Sequence, residues 1–282
     1  LLQNLYYETK LVLTGGFSQI PNPARIETAR LQLVAALGGR DENLRKNYLE
    51  LYYPNYWLTV SAEDRLRHAH FIAEADREKK TLAIMIRPLE FEAVTEITVF
   101  APDHPKLLSI ITGACAAANA NIVDAQIFTT TDGRALDTIL INREFPHDED
   151  ERRRATRVSR MIENMLNGEV RLPEIIRTSC TRQKRAAEAF EHTPRVEIKN
   201  NFSDTFSVIE VKGLDRPGLL SELTAVLSSL SLNIASAHIN TFGEKVIDSF
   251  HVTDLGGKKI TSLQRQRNIR RKLLALFDSL SR

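Results

Sequence analysis

The residues best suited to chemistry are Asp215, Arg216, Pro217, Gly218, Leu219 and Leu220, a short loop between an apolar strand read over Phe206 to Gly213 and an apolar-periodic helix read over Pro217 to Leu230. Proline suits the first turn of a helix, where its missing N–H would be unpaired anyway and its fixed φ fits. The free N–H groups of that turn carry the positive end of the helix dipole, which favours a carboxylate or phosphate above the loop. Gly218 has no side chain, so a ligand could come close to the backbone there. The chemistry on offer is anion binding rather than bond making. A lone Asp-x-Pro-Gly is more often simply a turn.

This one is not alone. Asp103, His104, Pro105, Lys106, Leu107 and Leu108 repeat the pattern 112 residues earlier, after a strand read over Glu96 to Ala101. At the same offset, 12 of the 31 positions from Ile97 to Ile127 are identical, including Asn121-Ile122 against Asn233-Ile234, so the chain holds an internal duplication. Elsewhere no His–Asp dyad, Gly-x-Ser-x-Gly elbow, Cys-x-x-Cys pair or Gly-rich phosphate loop followed by Lys occurs, and the sequence supplies no catalytic constellation. His68 and His70 stand two apart, a spacing that cannot chelate a metal from one helix face, and both are expected to face solvent.

The elements that must position the two loops follow from periodicity. The 282 residues have room for roughly two domains. A hydrophobic share of 43% with 26% charged residues fits a soluble globular chain, and a net charge of +2 leaves no footprint for nucleic acid or a membrane surface. The densest basic run, Arg152-Arg153-Arg154, follows acids that suit a first helical turn and is expected to be solvated. Cys115 and Cys180 lack metal-ligand spacing and suit a reducing, cytoplasmic setting, and no signal peptide or membrane-length apolar run is present. With Leu1 opening inside a helical run and no initiator Met, the chain is expected to be a piece of a longer protein.

Helices are expected over Leu1 to Leu13, Ala24 to Leu37, Glu42 to Leu51 and from Ser61, as N-cap, through Ala75, with Tyr52, Tyr53, Tyr56 and Trp57 as a packing corner between them. Thr81 to Arg87 reads as a strand leading into the first repeat. Each repeat then reads βαββα. The first hairpin turns at Asp132-Gly133 and the second at Gly243-Glu244, with closing helices over Asp148 to Leu166 and Leu263 to Leu280. A last strand would complete a ferredoxin-like βαββαβ unit. Arg195 to Asn200, after an extra helix around Pro173 to Phe190, is the candidate for the first repeat, and the second shows none. The expected architecture is α+β: a helical segment over 1–80, a first unit over 94–200 with a helical insertion at 148–190, and a second unit over 205–282. The two units are expected to pack as a pseudo-symmetric pair, sheets side by side or face to face, with both loops near the junction.

Asp-x-Pro-Gly-Leu-Leu followed by Asn-Ile resembles the ACT domain, a small amino-acid-sensing module. Two such units behind a helical segment carrying Tyr6-Tyr7-Glu8-Thr9-Lys10 and Gly15-Gly16 resemble the bifunctional uridylyltransferase and uridylyl-removing enzymes of the PII nitrogen-signalling protein. The runs Asn121 to Gly133 and Ala135-Leu136-Asp137-Thr138 are the most specific matches. That resemblance implies a regulatory region that senses glutamine, with residues 1–16 closing an HD domain and both catalytic domains lying outside this chain. It implies PII as a partner of the whole protein, Mg2+ for that protein's chemistry, and no cofactor here. It places the glutamine carboxylate at Asp215 to Leu220 with the amino group near Asn233 and Ile234, and a second copy at Asp103 to Leu108 with Asn121 and Ile122. Lys106 stands where the motif has glycine, so the second copy is expected to be the better site. The rival reading is a ligand-free module that dimerises through its sheet edges. The regulatory tail of a stringent-response synthetase fits less well, because that architecture resembles a single terminal unit.

Overall fold

The computed structural model describes residues 23–38, 48–169, 193–216, 218–242 and 245–278. The helices expected over Leu1 to Leu13 and Pro173 to Phe190, most of that over Glu42 to Leu51, Cys180, Pro217 and the Gly243-Glu244 turn lie outside the described residues.

Among the described residues, the helices α1 (Pro23–Leu37), α2 (Pro54–Thr59) and α3 (Ala62–Arg77) come first, with residues 48–51 also helical. Ser61 caps α3 as its sequence promised, accepting the Asp64 N–H at 3.1 Å. The first repeat contains β1 (Ala83–Leu89), β2 (Val94–Pro102), α4 (Leu107–Ala117), β3 (Ile122–Thr129), β4 (Arg134–Asn142) and α5 (Asp148–Leu166). The second contains β5 (Arg195–Lys199), β6 (Ser207–Leu214), α6 (Leu219–Ser229), β7 (Leu232–Phe242), β8 (Lys245–Asp254) and α7 (Leu263–Asp278).

The eight strands among the described residues form one antiparallel sheet in the order β1-β2-β4-β3-β7-β8-β6-β5. Each half has the four strands and two helices of the ferredoxin-like plan, but its edge strand enters from the N-terminal side. Arg195 to Asn200, expected to close the first unit, instead pairs with β6 and edges the second, as Val196 opposite Val211 shows. The first unit is edged by β1, with Ile86 opposite Ile97. An edge strand before or after the motif fills the same place in the sheet, so strand periodicity alone could not choose between them.

The halves join where β3 meets β7, and the central pair there is Ala125 with Ala237, again 112 residues apart. Above that pair α4 lies against α6. Ser109 Oγ donates to the Ser221 carbonyl at 3.1 Å, Ser221 Oγ returns a bond to the Ser109 carbonyl at 2.8 Å, and Thr112 Oγ1 lies 3.4 Å from Thr224 Oγ1. Each of these residues touches its own duplicate, so the pseudo-twofold axis passes between them. Small side chains there let the two helices approach, and one apolar core runs through both halves, from Ile97 and Ile139 to Val211 and Phe250.

The opposite face of the first unit is covered by α1 to α3. Phe100, Phe128 and Leu136 pack there with Tyr52, Tyr56 and Trp57, the aromatic corner expected from the sequence. Here His68 overturns its expectation. It is 3% exposed, its Nδ1 lies 3.1 Å from the Tyr56 hydroxyl, and burial pushes its pKa down to about 3. A spacing of two excludes chelation but does not tell which of the two histidines faces inward; His70 is the exposed one.

Arg154 is likewise not the solvated end of a basic run. Its guanidinium is buried and donates to Glu151 Oε1 at 2.7 Å, to the Asn142 carbonyl at 2.8 Å and to Glu144 Oε1 at 3.0 Å. Three successive arginines on a helix point in three directions, and only one of them faces the sheet.

Candidate functional site

The two loops leave their strands at opposite ends of the molecule's sheet. Loop one follows β2: Asp103 accepts the Thr129 hydroxyl at 3.0 Å and its N–H donates to the Gly133 carbonyl at 3.1 Å, tying the loop to the end of β3 and the first hairpin. His104, Pro105 and Lys106 are exposed, while Leu107 and Leu108 turn inward as the first residues of α4. The Leu107 N–H closes a turn onto the His104 carbonyl, and the Ile110 N–H reaches the Lys106 carbonyl. The remaining first-turn amides have no carbonyl behind them within the helix.

Loop two repeats this. Leu219 N–H donates to the Arg216 carbonyl and Glu222 N–H to the Gly218 carbonyl. Gly218 is the residue before α6 and has φ 82°, a left-handed conformation that glycine adopts without strain. At the matching place Lys106 has φ −102°. The glycine is therefore needed for backbone geometry as well as for close approach, and loop one takes a different path because a side chain disfavours positive φ. Arg216 is held by a bidentate contact with Glu222 on the first turn of α6. Asp215 keeps contact with solvent, yet the packing around its carboxyl raises its pKa, against the pull of the Arg216 amide and charge.

The sheet does not bring each loop to the Asn-Ile pair of its own repeat. Within a repeat, α4 or α6 runs the length of the sheet, about 16 Å for 11 residues, before the next strand starts. Asn121 and Ile122 therefore lie at the far end from loop one, and Asn233 and Ile234 at the far end from loop two. Because β7 runs antiparallel to β3, the start of β7 shares an end with loop one. The Ser228 hydroxyl, at the close of α6, donates to the Pro105 carbonyl and fixes that juxtaposition. The same symmetry sets Asn121 at the end where loop two lies. Both asparagines are exposed, whereas Ile122 is buried and Ile234 half-buried. The strand pairing thus sets loop one at the end of the sheet where Asn233 lies, and loop two at the end where Asn121 lies.

Against this arrangement, the model of the ACT domain matches residues 95–157 and 207–258, the first from β2 into α5 and the second from β6 past β8. The chain carries two ACT domains in tandem. ACT domains suggest a regulatory role in binding small molecules. Among solved structures, a putative glycine cleavage system transcriptional repressor is 16% identical over an alignment covering 65% of this chain and 92% of that one, with a TM-score of 0.22, too remote a likeness to bear on function.

On the strand beside each loop-bearing strand is a residue that strand periodicity passed over. Asp137 on β4 stands opposite Val99, and Asp248 on β8 stands opposite Val211, the duplicate of Val99. Both are 1% exposed, and no donor reaches Oδ1 of either. Burial holds the Asp137 carboxyl well above the carboxylate range, with the Asp103 charge adding to the effect. Burial and the Asp215 charge push Asp248 up to about 7, opposed by a hydrogen bond from the Asn240 backbone N–H. Their sequence signal is an aspartate at an inward position of an otherwise apolar strand, in both repeats. Among the described residues no group of three metal-ligating side chains forms, and no helix is long and apolar enough to cross a membrane.

Proposed function

We propose that the tandem ACT pair senses glutamine and conveys its occupancy to a longer protein resembling the PII uridylyltransferase and uridylyl-removing enzymes. The observation that supports the reading is the crossed placement, which sets each loop at the same end of the sheet as the other unit's asparagine. Helix amides at each loop suit the ligand's carboxylate, and the asparagine that meets that end comes from the other ACT unit. A ligand bridging the two would favour one relative placement of the units, which is what a regulator requires. At ten times Kd a ligand that binds only one state stabilises it by about 1.4 kcal/mol, and two sites by about 2.8 kcal/mol. A switch from 1:99 to 99:1 needs about 5.5 kcal/mol, so the response is graded.

The crossed geometry has its own signature. Gly218→Val and Asn121→Ala act on one cleft, while Asn233→Ala acts on the other. In glutamine titration, Gly218→Val with Asn121→Ala should cost little more than the worse single change. Gly218→Val with Asn233→Ala should be additive and weaken both clefts, each loss being on the order of tenfold. The reverse pattern of coupling would return each loop to the asparagine of its own repeat.

The ligand-free dimerising reading looks to the ends of the sheet, β1 and β5. Arg195, Glu197 and Lys199 line β5 and engage one another and Glu210 in ion pairs, a charged edge of the kind that discourages strand addition.

A further inference from the structure

The pair Asp137 and Asp248 is left unexplained by packing. Each sits in the helix-covered core of its ACT unit, among Val99, Ile127 and Ile139 in the first case and Val211, Ile239 and Phe250 in the second. An apolar residue would fill either place at no electrostatic cost. Instead both units retain a carboxyl with an oxygen that no protein donor satisfies. Both lie one strand from the loop-bearing strand, opposite a valine four residues before the loop aspartate. Each feels that loop aspartate, Asp103 or Asp215, so the buried carboxyl and the loop share a single locality.

A carboxyl with one oxygen left without a donor, near a loop whose helix amides lack acceptors, is complementary to a ligand carrying both charges. We propose that Asp137 and Asp248 receive the α-ammonium group of an amino acid whose carboxylate is held by the first-turn amides of α4 and α6. This rests on the amino-acid-sensing reading above and reassigns the amino group from the asparagines to the buried acids. The asparagines are then left to contact the ligand's side chain from across the junction. The exposed loop aspartates mark the way in.

The test uses calorimetry on the whole chain with L-glutamine and with glutaramate, which keeps the carboxylate and side-chain amide but lacks the amino group. Asp137→Asn and Asp248→Asn together should weaken glutamine binding at least tenfold and leave the weaker binding of glutaramate unchanged. In the unaltered chain, carbon-13 resonances of the two carboxyls should titrate at lower pH when glutamine is present, since an ammonium neighbour favours the ionised form. Glutamine binding that survives both substitutions, or carboxyl titrations that glutamine does not move, overturns the assignment while the sensing function stands. If the unaltered chain binds no glutamine, both fall.

Discussion

Replacing Arg154 by alanine is expected to lower the stability of the chain by about 3–5 kcal/mol, the range seen when one partner of a buried ion pair is removed. The reason is the company that Glu151 keeps. It is fully buried and accepts from the Thr95 hydroxyl at 3.1 Å, from the Glu144 and Phe145 amides at 3.1 and 3.0 Å, and from Arg154. Burial alone would raise its pKa, but the Phe145 and Glu144 amides, with Arg154 and Thr95, hold it below the ordinary value. A depressed pKa in the folded state adds stability above the unfolded pKa, near 4.5, and loses it as pH falls through the folded value. Removing Glu151 as well should not recover the loss, because Thr95 and two amides would then be unpaired. Urea unfolding at pH 7 measures both variants. A loss below about 1 kcal/mol for Arg154→Ala would mean that the pair behaves like a solvated one.

Asp248→Asn is expected to act in the opposite direction. This carboxyl is as buried as Glu151 but has an oxygen without a donor, and its pKa is pushed up to about 7. Between the ordinary carboxylate value and 7 the folded chain keeps a proton that the unfolded chain gives up. Stability therefore falls as pH rises through that window, and the full penalty is present above about 7. A rise of that size costs at most about 4 kcal/mol once the group is ionised. Asparagine carries no charge, so the variant should gain stability at pH 8 and little at pH 4, as read from urea unfolding at the two values. Equal gains at both would assign the effect to packing. A buried charge kept at a cost in stability fits a group retained for binding.

Glu151 and Asp248 also show where the sequence was legible and where it was not. The duplication was plain at an offset of 112, and the same offset marks the axis in Ser109 with Ser221, Thr112 with Thr224 and Ala125 with Ala237. Strands, α4 and α6 followed from periodicity, and α5 spans the same residues, Asp148 to Leu166, that its acidic start and apolar spacing mark out. What an internal offset cannot express is direction across an interface. It says that Asn121 and Asn233 are equivalent, but only the antiparallel pairing of β3 with β7 sets each beside the other unit's loop. The edge strands themselves were legible, but the unit that each one edges was not: β5 pairs forward rather than back, a tertiary choice. His68, Arg154 and Asp137 escape any reading in which polarity stands for exposure. A polar side chain in an apolar-periodic stretch faces whichever way its position dictates.

The central claim is that the two ACT units form amino-acid clefts across their junction, and titration of the chain with L-glutamine tests it most directly. Calorimetry should show saturable binding at up to two sites, with Kd on the order of 1 mM, about −4 kcal/mol. Binding should weaken in Gly218→Val and weaken further when Asn233→Ala is added. No saturable heat at glutamine concentrations tenfold above that value, with no change in unfolding midpoint, would contradict the account and leave the pair as a packing module.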